Sequence, residues 1–342
     1  MTERPASDMS AHEKVALTRR DSGLLPRIGF QVWGQFTGWP AMAATARDIE
    51  RRGFDSVWSN DHLFPAAGSA AAAPDGLDGP FLEGWMTAAG FAMVTSRVTV
   101  GVLVSGAGYR HPAIVVKMAT ALDHLSGGRA VLGLGAGWHQ RDHRAFGFEL
   151  PSIRERLDRL DEQSAAIRRL LDGREVTSSG SWVTLDRARN APPPVGQLPL
   201  LIGGSGERRT LRIVARDADA WNGEGDPDTW ARRNGILDVH CAAIGRDPVA
   251  IRRTAGLPPL HLRATRAEAK ASLARVMERN GLPADEARTF AEDDPLADSP
   301  DAVFGLLAEY GQAGADEVII DWPAPFDVIS LESLAAARDR HR

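Results

Sequence analysis

One histidine stands where this chain could move a proton. The apolar run Phe54–Trp58 is followed by Ser59, Asn60, Asp61 and His62. Imidazole titrates near neutral pH, so His62 could exchange a proton with a bound substrate. It could also hydrogen-bond and orient its neighbours, and Asp61 reads as structural or as an orienter of the ring. Glycine clusters follow other apolar runs. Gly133-Leu134-Gly135-Ala136-Gly137-Trp138 is one, and Gly203-Gly204-Ser205-Gly206-Glu207 is another. Glycines let a backbone pass close to a flat ligand, and Trp138 offers an aromatic wall. Backbone N–H groups at a helix start attract anions. Gly203, Gly204, Ser205 and Gly206 lead into a helical pattern and are therefore candidates for holding a phosphate. A third cluster, Ser105-Gly106-Ala107-Gly108-Tyr109-Arg110, places Arg110 where it could meet an anion. His111-Pro112 reads as the start of a helix. Trp221 and Trp322 could face a pocket or pack beneath the loops.

Other chemistries lack their residues. There is no His-x-His at the first strand end, no His-Glu-x-x-His and no Gly-x-Ser-x-Gly. No metal is expected, and a metal-dependent hydrolase is disfavoured. The single cysteine, Cys241, excludes an intramolecular disulfide framework and iron–sulfur sites, and reads as a buried thiol. Glycine backbone, aromatic rings and a histidine suit a planar phosphorylated cofactor better than hydrolysis. In such enzymes the protein positions and polarises while the cofactor performs the difficult step.

The elements that must position these residues alternate. Strands are expected at Arg27–Trp33, Phe54–Trp58, Val98–Val104, Ala130–Gly135, Leu200–Gly203, Asp219–Asn222, Ile251–Leu262 (interrupted by Gly256-Leu257-Pro258-Pro259) and Glu317–Asp321. Helical patterns lie between them, among them Ala41–Arg52, Glu83–Thr95, Pro112–His124, Ile153–Leu171 and Thr229–Ile244. Continuous apolar strands alternating with helices imply a parallel sheet covered by helices. Eight such units favour closure into a (β/α)8 barrel, whose active site lies at the C-terminal ends of its strands. Insertions are expected after the second strand (Pro65–Pro80), before the fifth (an irregular stretch at 174–197) and around the seventh. The first insertion could be a lid or a surface loop. The acidic segment near Glu292–Asp301 reads as a solvated connection.

With 342 residues, 43% apolar and 25% charged, the composition is that of an ordinary globule. A net charge of −5 argues against a nucleic-acid footprint. No apolar run reaches the ~20 residues of a membrane span. Residues 1–24 read as a flexible extension without an export signal, on a cytoplasmic barrel domain spanning 25–342.

Several segments together resemble the luciferase-like monooxygenase superfamily, in particular its branch of F420-dependent oxidoreductases. They are Gly53–Trp58 with Asp61-His62, Tyr109–Pro112, Leu122–Arg129 (LDHLSGGR), Gly133–Trp138 (GLGAGW), Leu201–Gly204, Ala218–Asn222, and His240-Cys241 with Gly245–Pro248. The likeness covers roughly residues 26–325. It implies a bacterial-luciferase-like TIM barrel that binds a flavin-type ring at its mouth. A non-proline cis peptide among Val102, Leu103 and Val104 would back the ring. The phosphate would lie near Gly203–Gly206, and Gly135, Ala136, Gly137 and Trp138 would run along the cofactor side chain, with Asp61 nearby. His62 would be the proton-transfer residue. The implied cofactor is the deazaflavin F420, with FMN as alternative, and the implied reaction is hydride transfer to or from a small organic substrate. An FMN monooxygenase with a partner reductase, and a non-catalytic cofactor binder, are the competing readings. Relatives are often homodimers. Sugar-phosphate dehydrogenases of the superfamily carry a Glu where this chain has Trp138, and a Trp where it runs Leu63-Phe64-Pro65. Those departures count against a sugar phosphate as substrate.

Overall fold

Aliphatic and β-branched runs form eight parallel strands because each is buried on both faces. The computed structural model describes residues 25–67 and 76–340. The expected N-terminal extension and most of the tip of the Pro65–Pro80 insertion lie outside these residues.

In chain order the elements begin with β1 (Arg27–Val32), α1 (Trp39–Arg51), β2 (Ser56–Ser59), α2 (Gly84–Val94), β3 (Thr99–Gly106), α3 (Pro112–Ser126), β4 (Ala130–Gly135), α4 (Gln140–Phe146) and α5 (Ile153–Leu171). There follow β5 (Val176–Ser179), β6 (Thr184–Ala188), β7 (Leu200–Gly203), α6 (Thr210–Asp217), β8 (Ala220–Gly223), α7 (Pro227–Ala243) and β9 (Arg252–Leu257). The chain ends with β10 (His261–Leu262), α8 (Arg266–Arg279), α9 (Ala284–Asp293), β11 (Ala297–Asp298), α10 (Pro300–Gln312), β12 (Glu317–Trp322) and α11 (Val328–Arg340). Strands β1, β12, β9, β8, β7, β4, β3 and β2 close a barrel in that order, and each neighbouring pair is parallel. The expected fold class is the one observed.

Two apolar layers hold it. Outward-facing strand residues such as Phe30, Val102, Leu132 and Val318 pack under the helices. Trp58, Leu103, Val131, Leu201, Ala220 and Ile319 form a separate inner cluster, so the barrel is filled rather than hollow. Its floor is polar. Ser56 Oγ donates to Glu317, whose other carboxylate oxygen pairs with Arg252. Gly29 makes room there, since a Cβ on it would lie 1.9 Å from Ser56 Oγ. Helix starts follow the sequence signals. Ser152 and Glu155 form a capping box on α5, and His111 caps α3 ahead of Pro112.

Three expectations need correction. The 174–197 stretch is not wholly irregular: β5 and β6 form an antiparallel hairpin. The seventh strand stops at Leu257, and His261–Leu262 instead pair with Ala297–Asp298 in a small separate sheet. The segment around Glu292–Asp301 is not simply solvated, because Asp294, Leu296 and Ala297 are buried in it. No helix among the described residues is long and apolar enough to cross a membrane.

Candidate functional site

The site is built on a bulge in β3. Register with β4 shifts between Val102 and Ser105, and the Leu103–Val104 peptide is cis. Gln31, on the adjoining wall of the mouth, donates its amide N–H to the Leu103 carbonyl. The Val104 side chain turns inward between two glycines. A Cβ on Gly135 would lie 2.6 Å from Val104 Cγ2, and one on Gly203 2.9 Å from Val104 Cγ1. Gly133 similarly clears the Val102 carbonyl, at 2.1 Å. These three glycines therefore serve first to seat the bulge, not only to admit a ligand as their positions suggested. Of the three residues expected to back a ring, Leu103 and Val104 line the cavity, whereas Val102 packs into the outer core.

Above the bulge opens a cavity of about 950 Å³, lined by His62, Gly135, Ala136, Gly137, Trp138, Gly203, Gly204, Ser205 and Gly206, among others. The glycine loop after β7 is pinned from both sides. The Gly204 N–H donates to Asn222 O at 3.0 Å, and its carbonyl accepts from the Trp221 indole at 2.9 Å. Gly204 has φ +127°, which a side chain would strain, and a Cβ on Gly206 would meet Thr210 Oγ1 at 2.6 Å. Helix α6 starts beside this loop with no side-chain cap and no acidic residue in its first turn. The Leu211 N–H already donates to the Gly206 carbonyl at 3.0 Å, so an anion there would have to use the other N–H groups of this turn. Trp221 does not face the cavity; it stacks on Trp230 at 5.4 Å. Trp322 is likewise buried in the outer core.

His62 sits at the opposite rim. Its Nδ1 lies 3.0 Å from Asp142 Oδ2. Asp142 is fully buried and takes four further contacts. The Leu63 and Phe64 amides reach Oδ1 at 3.2 and 2.9 Å, and the Tyr109 hydroxyl reaches Oδ2 at 2.8 Å. His139 Nδ1 approaches Oδ1 to 2.9 Å as an ion-pair contact, although neither ring nitrogen of His139 has hydrogen-bond geometry. Burial works against the Asp142 charge, but the His139, His62 and Tyr109 contacts outweigh it and hold the carboxyl well below its usual range. Burial and the same carboxylate push the Tyr109 phenol far up, which makes it a fixed donor. An ionised Asp142 fixes the proton of neutral His62 on Nδ1 and turns Nε2 outward as an acceptor. His62, His139 and Asp142 are of the types and proximity that can hold a metal ion, a grouping the sequence did not show. Both Asp142 oxygens already accept from the protein, Oδ1 from the Leu63 and Phe64 amides and Oδ2 from the Tyr109 hydroxyl, and this arrangement can hold the His62 ring in one orientation.

Asp61 also lines the cavity, but both of its oxygens are engaged. Arg110 reaches them at 2.6 and 3.1 Å, and the Ser105 hydroxyl adds 2.7 Å. Burial raises the Asp61 carboxyl, against the pull of Arg110 and Ser105. Arg110 is shared with Glu83 at 2.6 Å, so its charge is already matched and it does not await an anion. Trp138 is half-exposed, with its ring 5.3 Å from that of His62. Cys241 is buried away from the site as a free thiol, as expected.

Comparison with known proteins fits this geometry. The luciferase-like monooxygenase family profile matches residues 20–317. The chain belongs to this family. Among curated relatives it is 32% identical over 196 residues to an F420-dependent glucose-6-phosphate dehydrogenase of Nakamurella multipartita, covering 57% of this chain and 55% of the relative. It is 30% identical over 220 residues to an F420-dependent hydroxymycolic acid dehydrogenase of Mycobacterium tuberculosis, covering 63% and 58%. The luciferase-like chain thus spans little more than half the length of these relatives. Among solved structures, an F420-dependent secondary alcohol dehydrogenase in complex with an F420-acetone adduct superposes with a TM-score of 0.75 at 18% identity, over 93% of this chain and 99% of that one. A long-chain alkane monooxygenase gives 0.71 at 15%, over 92% and 91%.

Proposed function

We propose that this luciferase-like protein is an F420-dependent oxidoreductase that moves a hydride between the cofactor and a small organic substrate. The observation that carries the reading is the mouth itself. Val104 is wedged between Gly135 and Gly203 as an apolar shelf, and a pinned glycine loop lies beside an uncapped helix start. A flat ring fits on the shelf, and a phosphate fits against Gly204, Ser205 and Gly206. Bound there, the deazaflavin would supply the hydride donor or acceptor. The chain would do the rest: Leu103 and Val104 support the ring, Trp138 screens it from water, and His62 Nε2 gives or takes the proton while Asp142 holds Nδ1. The F420-dependent relatives favour this cofactor.

FMN is the second reading, because a glycine-loop phosphate site accepts either cofactor and the fold is shared with a monooxygenase. A homodimer belongs to the proposal; exposed Met86 and Met93 on α2 and Ile114 on α3 offer apolar surface for it. So do a cytoplasmic location and a separate reductase that regenerates the cofactor. The test is anaerobic turnover of reduced F420 against a panel of ketones and aldehydes, beside oxygen uptake with reduced FMN. Substrate-dependent F420 oxidation is expected. Oxygen uptake with FMN and no F420 turnover would transfer the assignment to a monooxygenase.

A further inference from the structure

The cavity has two chemically different halves. The shelf and the phosphate loop come from β3, β4 and β7, which are consecutive in the barrel. The remaining wall comes from β1, β12, β9 and β8. It presents Trp33, Leu257, Pro258 and Pro259 as apolar surface, joined by Phe290 of α9, together with the acidic Asp321 and Glu224. No Lys or Arg lines the cavity among the described residues, whereas Asp61, Glu224, Asp226 and Asp321 do. Asp61 is neutralised by Arg110, but among the described residues no ion pair neutralises Glu224 or Asp321.

Asp321 lies on β12 directly across from Gln31 in the β1 register. It is surrounded by protein yet open to the cavity, beside the Trp33 indole. We infer that Asp321 selects the substrate: the reacting molecule is an apolar body carrying an uncharged or cationic hydrogen-bonding group, such as an alcohol, a ketone or an amine, and not a phosphate or carboxylate. The inference rests on the hydride-transfer reading for the word substrate, but not for the binding preference. An anion in this half would meet carboxylates with no cation in the cavity lining to offset them, and beside the protein-enclosed Asp321 such repulsion is screened less than in bulk water. Sugar phosphates fail this condition, although a dehydrogenase for one is among the relatives.

Burial, opposed by the Trp33 N–H and aided by Glu224, raises the Asp321 carboxyl to about 7. The charged groups facing it are Glu224 and Asp294, the latter balanced in part by Lys270. Asp321 is therefore a neutral donor on the acid side and an anion on the alkaline side, which sharpens the preference for cations as pH rises.

The test uses three probes of one chain length, octan-2-ol, 2-aminooctane and octanoate. Each is titrated against the whole protein, with and without F420, and followed by tryptophan fluorescence. The alcohol and the amine are expected to bind at least about tenfold more tightly than octanoate at about pH 8. The amine's advantage should shrink at about pH 6 as Asp321 takes up its proton. Asp321→Asn should narrow the amine-to-octanoate gap to about threefold or less and leave F420 affinity unchanged. If Asp321→Asn does not fold, the ranking and its pH dependence in the unaltered protein decide. Octanoate binding as well as the amine, an unchanged gap in the variant, or no saturable binding by any probe overturns the inference. Failure of F420 to bind while the unloaded protein still ranks the probes in this order would sink the cofactor reading and leave this one standing.

Discussion

A single carboxylate sets what His62 can do. Asp142 is reached by His62, His139, Tyr109 and two backbone amides, so the ring is held in one tautomer with Nε2 toward the cavity. Replacing His62 with Asn should lower kcat by about 10²–10⁴, while the cofactor dissociation constant stays within about twofold. Steady-state kinetics and a binding titration check both, and an unchanged kcat removes His62 from proton transfer. His62 was legible in the sequence as the residue after a strand. Its partner was not, because Asp142 lies 80 positions away and only the folded barrel brings them together. Asp294 is a second residue whose role depends on burial. One oxygen accepts from Leu296 N–H, and the other has no partner. Burial, with Asp321 adding repulsion, raises this carboxyl from 3.8 to about 7. The folded protein thus keeps a proton that the unfolded chain has released, and stability falls as pH rises from about 4 to about 7. A displacement of this size corresponds to a few kcal/mol at most, on the order of 4. Asp294→Asn should therefore raise the melting temperature at about pH 8 and give a gain less than half as large at about pH 5. Calorimetry at the two pH values decides, and equal shifts at both would contradict the burial argument.

Strands and loops differed in how much the sequence revealed of them. The barrel strands announce themselves because burial on both faces demands continuous apolar residues, as in Thr99–Gly106 and Glu317–Trp322. The hairpin Val176–Ser179 with Thr184–Ala188 is largely solvent-facing, so no apolar run marks it. Helix α4, with the polar sequence QRDHRAF, was equally silent, and it carries Asp142. The β3 bulge was expected from resemblance alone. What the residues did show were the glycines that permit it, read as ligand contacts. Their first duty is testable. Gly135→Ala would drive a methyl group into Val104 and should cost about 1–3 kcal/mol by overpacking. The double variant Gly135→Ala with Val104→Ala should recover most of that loss. Urea denaturation of the two single variants and the double variant forms the cycle. Strict additivity would show that the two side chains do not compete for one space.

The whole barrel divides its labour between ends. At the floor, Arg252 and Glu317 form a pair whose side chains are 8% and 1% exposed, bonded onward to Ser56. Removing one partner strands a buried charge, so Glu317→Ala should destabilise by about 3–5 kcal/mol, and a loss below about 1 kcal/mol in chemical denaturation would contradict the buried pairing. At the mouth, the same strands end in glycine, aromatic and acidic residues that shape a two-part cavity. Fold and site location were legible because periodicity fixes strand number and barrels place their chemistry at one end. Substrate preference was not, because it depends on residues from four strands that meet only after closure. The central claim is that the Val104 shelf and the Gly203–Gly206 loop cup a phosphorylated tricyclic ring. Its most direct test is equilibrium titration of the purified protein with F420 and with FMN, repeated on Gly206→Val, whose side chain would collide with Thr210. Saturable one-to-one binding of F420, tighter than FMN and weakened at least about tenfold by the substitution, is the predicted result. Binding of neither cofactor, or F420 affinity indifferent to Gly206→Val, would contradict it.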